Sequence, residues 1–436
     1  MNPGLIALII FLSFIVSLAL GLPVAFCLFG VAMVFAIVFV GLPAIYIVFT
    51  STFSTMTNEI FLAIPLFVFM SAIIQFSGIA SALYDVMYKW FGALRGGLAI
   101  TTVAVCTLIA AMTGLGATGV VTMGVIALPE MLKRGYDKSL AIGCIPPGGA
   151  LGPLIPPSSP MIVIAAFASL SVGKMFMGGV VPGLMISFLY CIYIAVRCTI
   201  NPNLAPALPP HERSTWREKF YSLRGVILPV ILVIAVLGGI YSGAATPTEA
   251  AGVGALGGVI CALIYRQLTW QNLKEAVLMT MKINAMVLWL LAGGICFGSV
   301  LSATGVSKWI SSILLELPIS PFLTIIAMQT AGLIMGCFID SATITVILIP
   351  MCMPTVIALG FDPLWFCIVF SINLIIGYIT PPFGMNLFYM KGIVPKDVTI
   401  ELIYRSVIPY VVMGLIVMGL CMVFPEIPLW LPSKMK

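Results

Sequence analysis

The chain has 436 residues, of which 61% are hydrophobic and only 8% charged, and its formal net charge is +6. A soluble globular domain carries about 25% charged residues, so this composition excludes an ordinary soluble protein and indicates an integral membrane protein. The 41 Gly and 30 Pro are too many for straight spanning helices and predict helices that are interrupted inside the bilayer.

The first part of the chain predicts five membrane crossings and one re-entrant hairpin. A spanning helix needs roughly 20 apolar residues, a few fewer at the short end. The predicted crossings are Gly4–Leu20, Val24–Val40, Ile60–Ile74, a broken span through Leu140–Phe167, and Met175–Val196. The segment Gly41–Asn58 is interpreted as a loop. Two further apolar segments, Leu98–Met112 and Val120–Met131, are joined too tightly to cross twice, which predicts a hairpin over about 98–131 with its tip at 113–118.

The second part of the chain repeats the first at a spacing of 225 residues. Matching pairs include Pro129 with Pro354, Gly135 with Gly360, Asp137 with Asp362, and Pro156-Pro157 with Pro381-Pro382. Such self-similarity is typical of transporters built from two repeats. We therefore predict a first repeat over 1–196, a connector over 197–224, a second repeat over 225–424 and a tail over 425–436. The second hairpin falls at about 322–356, with its tip at 338–343, and the second broken helix at about 364–390.

The distribution of cations predicts that the two repeats lie upside down relative to each other. Cytoplasmic loops are enriched in Lys and Arg. The loop after the first hairpin carries three cations, namely Lys133, Arg134 and Lys138. Its counterpart Ala358–Pro363 carries none, whereas Gly41–Asn58 lacks the cations that its own counterpart holds at Arg266 and Lys274. The connector carries Arg197, Arg213, Arg217, Lys219 and Arg224, which places it in the cytoplasm and both termini outside.

Hairpin tips and broken helices are the best candidates for binding sites. Proline breaks helices, and the carbonyls freed there, together with hydroxyls, are hard oxygen ligands that suit Na⁺, while half-helix N-termini suit a carboxylate. The first candidate cation site comprises Thr113, Gly114, Gly116, Thr118, Gly148, Gly149 and Ala150. The second comprises Asp340, Ser341, Thr343, Gly377 and Thr380. Candidate solute contacts are Pro157, Ser158, Ser159, Pro382, Gly384 and Asn386.

Both kinds of feature also have a purely structural interpretation. The Gly and Pro residues could serve only close helix packing. A carboxylate near the bilayer midplane is costly and suggests a cation ligand or proton carrier, but Asp340 could instead cap the returning half-helix. Capping is the favoured interpretation for Asp137 and Asp362, and for Glu249 in the sequence Thr246-Pro247-Thr248-Glu249.

The sequence lacks the motifs of several other kinds of chemistry. It contains no Walker A motif, which argues against an ATP-driven pump, and no nucleophile elbow, zinc signature or pair of catalytic carboxylates. We therefore predict a secondary transporter and not an enzyme.

Several motifs resemble the large membrane subunit of the tripartite ATP-independent periplasmic (TRAP) transporters, of the dicarboxylate-transporter M type. They are spread over essentially the whole chain: Gly21-Leu22-Pro23, Ala63–Phe67, Arg95–Ala99, Gly149–Ser158, Ala245–Ala251 and Asn373–Phe388. In one departure, the first tip reads Thr113-Gly114-Leu115-Gly116-Ala117, whereas the relatives are Ser-rich there.

The resemblance implies a multi-pass protein of the bacterial inner membrane that has no cofactor and uses a Na⁺ gradient, with Na⁺ as the coupling ion. It implies import of an organic acid, such as sialic acid or a dicarboxylate, by an elevator-type motion. It also implies two partners: a small four-helix membrane subunit, expected here as a separate chain, and a periplasmic substrate-binding protein. The family's Na⁺ sites lie at the hairpin tips and so map onto the two candidate sites named above.

Two other functions remain open at this point. A stand-alone Na⁺ or H⁺ symporter of the related inverted-repeat class would need no soluble partner. A channel could also use paired re-entrant hairpins, although it would need a continuous water-lined pore.

Overall fold

A computed structural model describes residues 2–114, 116–209, 212–316 and 318–435, and all regular elements in these ranges are helices. The α-helices before the connector are α1 (Pro3–Ala19), α2 (Val24–Phe39), α3 (Ala44–Met56), α4 (Ala63–Phe76), α5 (Ile79–Phe91), α6 (Gly97–Thr113), α7 (Gly116–Lys133), α8 (Lys138–Gly143), α9 (Ile145–Ala150), α10 (Ser159–Phe167) and α11 (Val172–Ile200). The predicted all-α architecture is confirmed.

The remaining α-helices belong to the connector, the second repeat and the tail. They are α12 (Trp216–Ser222), α13 (Ile227–Tyr241), α14 (Pro247–Ile264), α15 (Trp270–Ala303), α16 (Val306–Glu316), α17 (Pro321–Gly336), α18 (Ser341–Ala358), α19 (Pro363–Gly377), α20 (Met385–Lys391), α21 (Ile400–Val423) and α22 (Glu426–Leu429). Asp137, Asp362 and the Thr246–Glu249 capping box cap α8, α19 and α14 as predicted.

Helix bounds recur at the spacing of 225 residues. Shifted by that amount, α7 coincides with α18, α6 lies within one or two residues of α17, and α8 with α9 covers nearly the same positions as α19. The single helix α15 corresponds to α3 and α4 together. These are the matching bounds that two related units would show, while their opposite orientation in the membrane stays a prediction.

The segment Gly41–Asn58 is not the loop that its polar composition suggested, because 44–56 forms α3. Several of its hydroxyl groups donate to the helix backbone four residues earlier. Thr52 donates to the Val48 carbonyl at 2.8 Å, and Thr55 to the Ser51 carbonyl at 2.7 Å. Such bonds satisfy Ser and Thr inside an apolar helix.

The hairpin tips are shorter than predicted. Only residues 114 and 115 separate α6 from α7, and only 337–340 separate α17 from α18. Gly114 adopts a left-handed conformation with φ of 62°, which ends α6 and lets α7 begin almost at once. Thr118 and Thr343 therefore lie in the first turns of the returning helices.

Six described helical segments are long and apolar enough to cross a bilayer, or seven if the bent pair Trp216–Gly225 and Ile227–Tyr241 counts as one span. Six shorter apolar helices of 10–17 residues add to them. A helix of 17 residues rises about 25 Å, near the short end of what spans the hydrocarbon core. The multi-pass prediction is confirmed, and the count of five crossings per repeat stays a prediction.

The helices form two packed groups. In one group, α2, α3 and α4 pack against α15, and α4 also packs against α14. In the other, the first hairpin and both broken helices pack against α11 or α21, which also contact each other, and the second hairpin packs against α10 and α19. We call these the outer group and the site group; they meet where α4 contacts α6 and where α15 contacts α18.

Charged residues join the two repeats at one end of the site group. Lys138, at the start of α8, pairs at 2.6 Å with Asp397, which precedes α21. The hydrogen bond from Lys138 holds the pKa of the Asp397 carboxyl below its usual value, so the pair stays charged at neutral pH. Arg134 pairs with Glu130 at 2.6 Å and with Glu212 of the connector at 2.8 Å.

Labelling of introduced cysteines tests the opposite orientation of the repeats. Lys133 and Ala358 are exposed and lie 225 residues apart. We expect Lys133→Cys to resist, and Ala358→Cys to react with, a membrane-impermeant maleimide added to intact cells. The parent chain is the control, because its native cysteines are buried except for the half-buried Cys191. Equal labelling of both variants in intact cells would contradict the inverted arrangement.

Candidate functional site

The first hairpin tip touches the break of the first broken helix. A methyl group added at Gly114 would overlap the carbonyl oxygen of Pro157 and lie 3.0 Å from the Cα of Ser158. This approach is possible only because Gly114 has no side chain, and its positive φ gives glycine a second advantage. The tip therefore reaches the break backbone to backbone.

A second close approach lies one turn away, between α7 and α9. A methyl group on Gly149 would lie 2.9 Å from the carbonyl oxygen of Gly116, and one on Gly119 would lie 3.0 Å from the Cα of Gly149. Gly148 faces the opposite side, against Cys106 of α6. The two glycines thus let α9 lie between both arms of the hairpin, with Ala150 buried beside them.

The predicted hydroxyl ligands of the first site do not gather at the contacts that its glycines make. Thr118 is buried and lines a small cavity with Ile74, Leu83 and Met112, on the side of α7 that faces α4 and α5. The side chain of Thr113 lies outside the described part of the chain. Backbone carbonyls near Gly114, Gly116 and Gly149 are therefore the main oxygen atoms brought together here.

The break between α9 and α10 is buried throughout. Ser158 caps α10: its hydroxyl donates to the Pro153 carbonyl at 2.7 Å and accepts from the Met161 amide at 3.5 Å. Ser159 begins α10 and is also buried. The Pro156-Pro157 bond is cis, as is the Pro381-Pro382 bond of the second break.

Asp340 stands at the second hairpin tip, as the N-cap of α18. Its carboxylate accepts from the Ala342 amide at 3.0 Å, as the capping interpretation requires. No Lys or Arg in the described ranges lies within ion-pair distance of it, and the residue is half-buried. A carboxylate that caps a helix can also bind a cation with its remaining lone pairs, so the two interpretations are compatible.

Hydroxyl groups gather beside Asp340. Ser341 and Tyr378 share a hydrogen bond of 2.5 Å between their hydroxyl oxygens. Thr343 is buried in the first turn of α18, and Thr380 donates to the Ile376 carbonyl at 2.7 Å at the end of α19. The second site is therefore richer in oxygen ligands than the first. Tyr378 was not singled out from the sequence, although it lies within a quoted motif.

Glycines also bring backbones close together at the second site, but they do so at different positions from those in the first site. A methyl group on Gly377 would lie 3.1 Å from the Cα of Gly336, so the contact joins the first arm of the hairpin to α19. Gly384 precedes α20, and its amide donates to the Thr380 carbonyl at 3.1 Å. Pro382 is exposed, unlike Pro157. The second break thus opens further toward the surface than the first.

Asn386 connects the two sites. It is buried at the start of α20, and its amide donates to the Pro146 carbonyl of α9 at 3.0 Å. Its side-chain oxygen also lies near Gly116, at 3.8 Å from where a methyl group on that glycine would be. Helix contacts also join the two repeats, since α20 packs against α7 and α10 packs against α18. Each broken helix therefore contacts the hairpin of the other repeat.

A buried amide pair lies behind the second site and was missed in the sequence. The Asn373 amide of α19 donates to the side-chain oxygen of Gln329 in α17 at 3.0 Å. Gln329 in turn donates to the Phe366 carbonyl at 3.3 Å. These contacts tie the first arm of the hairpin to the broken helix.

A polar crevice separates the outer group from the site group. Its two adjoining cavities, of about 520 and 390 Å³, share Ala166 and Ile295 in their walls. The polar lining comes from α3, its following turn and α15, namely Thr50, Ser51, Ser54, Thr55, Asn58, Ser299 and Ser302. Small-molecule sites occupy about 300–1,000 Å³. The hydroxyl-rich sequence of α3 was the available signal, but it was interpreted as a loop.

The crevice borders the helices that begin at the two sites. Ala166 of α10 lies eight residues beyond Ser158, and Pro350 of α18 lies ten residues beyond Asp340. At 1.5 Å per residue, the crevice is about 12–15 Å along these helices from the sites.

A family profile described as "Tripartite ATP-independent periplasmic transporter, DctM component" matches residues 11–427. The chain belongs to this family. Similar relatives include the C4-dicarboxylate TRAP transporter large permease protein of Pseudomonas aeruginosa, 35% identical over 87% of this chain and 88% of the relative. The isethionate TRAP transporter permease protein of Oleidesulfovibrio alaskensis is 31% identical over 97% of this chain and 66% of the relative.

Two solved structures of other transporters share the fold of this TRAP large permease. The Alcanivorax borkumensis YdaH transporter superposes with a TM-score of 0.64 at 14% identity, over 88% of this chain and 89% of its own. Neisseria gonorrhoeae MtrF, described as an antimetabolite efflux pump, gives 0.64 at 15% identity, over 88% and 85%. At this identity the likeness concerns the fold alone.

Family membership confirms the predicted class of protein. The TRAP large permease is an integral membrane transporter subunit of the bacterial inner membrane and not an enzyme. Its family description makes it one component of a tripartite system.

Replacing Gly114 tests whether the contact between tip and break is needed. In Gly114→Ala the new methyl group overlaps the Pro157 carbonyl, and the left-handed backbone adds about 1–2 kcal/mol. We expect the uptake rate of the reconstituted transporter to fall at least about tenfold.

Gly135→Ala is the matched control for that substitution. Its φ of +74° is similar, but nothing lies within 4 Å of the added methyl group. It should lower thermal stability slightly and leave uptake within about twofold of the parent. Equal losses of uptake in both variants would show that backbone conformation, and not the contact, is what matters.

Proposed function

We propose that this TRAP large permease imports an organic acid by symport with Na⁺, after a periplasmic substrate-binding protein delivers the acid. The observation that carries the proposal is the junction of two interrupted helices with two hairpin tips, joined through Asn386. Relatives are named for C4-dicarboxylates, sialic acid and 2,3-diketo-L-gulonate, which are all acids.

Na⁺ suits the chemistry of both candidate cation sites. The second site offers the Asp340 carboxylate with the hydroxyls of Ser341 and Tyr378, and the first offers backbone carbonyls beside Gly116 and Gly149. Hard oxygen ligands in a pocket without a competing Lys or Arg favour a small hard cation. Asp340 supplies the negative charge that the first site lacks, so we assign it the larger part of the coupling.

We expect the solute to enter through the crevice and to bind at the breaks, which lie about 12–15 Å further along α10 and α18. The capped N-terminus of α10 at Ser158 presents backbone amides and the positive end of its dipole, which suit a carboxylate. The hydroxyls of Ser51, Ser299 and Ser302 offer hydrogen bonds to the polar remainder of the molecule. No cationic side chain lines either cavity within the described ranges, so recognition rests on dipoles and hydroxyls.

The arrangement of helices supports an elevator-type motion. The site group carries both candidate cation sites and is internally tied by Asn386 and by the Lys138–Asp397 pair. The polar crevice lies along part of the boundary with the outer group, and apolar packing such as that of Phe67 against Phe176 fills another part. The outer group would hold the small membrane subunit, and the site group would carry ion and solute across.

Reconstituted uptake tests the proposed function. Proteoliposomes containing this chain and the small subunit should accumulate the acid only when an inward Na⁺ gradient and the binding protein are both supplied. A proton gradient of the same size serves as the control. Uptake without the binding protein would indicate a stand-alone symporter, and flux at channel rates without Na⁺ would indicate a channel.

Substitution of Asp340 tests its role as a cation ligand. Asn can still accept the capping hydrogen bond from Ala342, so Asp340→Asn removes the charge and keeps the helix start. We expect the Na⁺ concentration for half-maximal uptake to rise at least about fivefold, because a charged ligand is lost. The matched control is Asp362→Asn, which caps α19 through the amides of Leu364 and Trp365. If the Na⁺ dependence of Asp340→Asn is unchanged, Asp340 serves only as the N-cap of α18.

A further inference from the structure

The helical segment Trp216–Gly225 lies across the end of a spanning helix. It is bent by 58° from α13, which follows it directly. Helix α13 exposes Ile227, Ile231 and Ile234 by more than half, as expected of a surface in contact with lipid chains. We therefore expect 216–225 to lie beside the boundary between hydrocarbon and headgroups.

Aromatic and cationic side chains alternate on this segment and remain exposed. Trp216 is 69% exposed, Phe220 60% and Tyr221 68%, which is unusual for large apolar side chains in water. Arg217 and Arg224 are exposed as well. A short helix that exposes both large apolar and basic side chains is typical of one lying in a membrane interface.

The cations of the segment stand over its aromatic rings. The Lys219 ammonium is 4.9 Å from the centre of the Trp216 ring, and the Arg224 guanidinium is 4.8 Å from that of Tyr221. Trp216 and Phe220 pack edge-on against Trp90 of α5, with ring centres 6.4 and 5.7 Å apart. Two of the three rings are therefore held against α5, and two of the cations lie beside rings of the same segment.

Acidic side chains near the segment are already engaged. Glu218 closes a capping box with Thr215, accepting from its amide at 2.8 Å, and these hydrogen bonds hold the pKa of its carboxyl below its usual value. Glu212 pairs with Arg134. Neither carboxylate neutralises Arg217, Lys219 or Arg224, because no ion pair joins them among the described residues.

We propose that Trp216–Gly225 forms a platform that binds the headgroups of anionic phospholipids. The exposed rings of Trp216, Phe220 and Tyr221 enter the interface, and Arg217, Lys219 and Arg224 contact the lipid phosphates. Aromatic rings prefer the interface, and a basic cluster next to a spanning helix is attracted to anionic lipid. Contact with Trp90 links the platform to α5, the helix that leads into the first hairpin.

Lipid binding to the full-length purified chain tests the platform. Phosphatidylglycerol and phosphatidylcholine are titrated separately onto the detergent-solubilised protein, and bound lipids are counted by native mass spectrometry. The parent should bind phosphatidylglycerol in preference. The triple variant Arg217→Gln, Lys219→Gln, Arg224→Gln should bind it at least about tenfold more weakly, while phosphatidylcholine binding stays unchanged.

Two variants control for charge and folding. Arg217→Lys with Arg224→Lys keeps the charge and should retain binding. Lys434→Gln removes a cation that stands 4.6 Å from the centre of the Trp430 ring, a similar pair elsewhere in the chain, and should have no effect. If the triple variant aggregates, the single variant Arg224→Gln should still show a weaker affinity.

Three results would overturn the platform. The triple variant could bind phosphatidylglycerol as the parent does, or Lys434→Gln could lose as much binding as the triple variant. Displacement of phosphatidylglycerol by millimolar inorganic phosphate would show that the cations bind a free anion and not a lipid.

Discussion

The structure depends on satisfying backbone groups where helices stop inside the bilayer. Each unpaired amide or carbonyl in hydrocarbon costs several kcal/mol, so an interrupted helix is tolerated only where protein or a water-lined cavity receives it. Here each hairpin tip is set against the break of a broken helix, and glycines at 114, 149, 336 and 377 allow backbones to approach closely. The cations that the protein is proposed to carry would bind among the same carbonyls. The need to satisfy backbone groups at the interrupted helices thus also brings polar atoms together in one place.

The two repeats meet this constraint in different ways, and the difference bears on mechanism. In the first, contact is made almost entirely by glycine and backbone, with Ser158 engaged in capping α10. In the second, the corresponding region contains Asp340, the Ser341–Tyr378 pair and the buried Asn373–Gln329 pair. A neutral site binds a cation through dipoles alone, whereas a carboxylate adds charge, so two related frameworks can have unequal affinities. Asn386 of the second repeat reaches α9 of the first, so the two candidate sites share a hydrogen-bonded contact.

Sequence reasoning recovered those features that leave a local signal. Proline pairs, glycine pairs and a spacing of 225 residues predicted helix ends close to those of α6, α7, α17 and α18, while the re-entrant course of these helices stays a prediction. Asp137 and Asp362 cap helices as predicted. Helix α3 was missed because Ser and Thr resemble loop residues until their bonds to the preceding turn are seen. Tyr378 and Gln329 matter through partners 37 and 44 residues away, and one sequence without an alignment shows no such pairing. The sequence does not show which neighbours Thr118 faces, because this depends on how α7 is rotated against α9.

The crevice and the platform together indicate how the two helix groups relate to the membrane. Polar side chains on α3 and α15 face the site group, although both helices belong to the outer group. Hydroxyls placed there weaken the adhesion between the groups, because water can replace each contact that sliding breaks. Apolar packing of the same area would resist sliding, since exposed apolar surface costs about 25 cal/mol per Å². On the proposed elevator mechanism, the outer group needs a fixed position against which the site group can move. Aromatic rings and cations at the bend before α13 provide such a position, since they hold at the level of the headgroups one end of α13, which packs against α14 of the outer group.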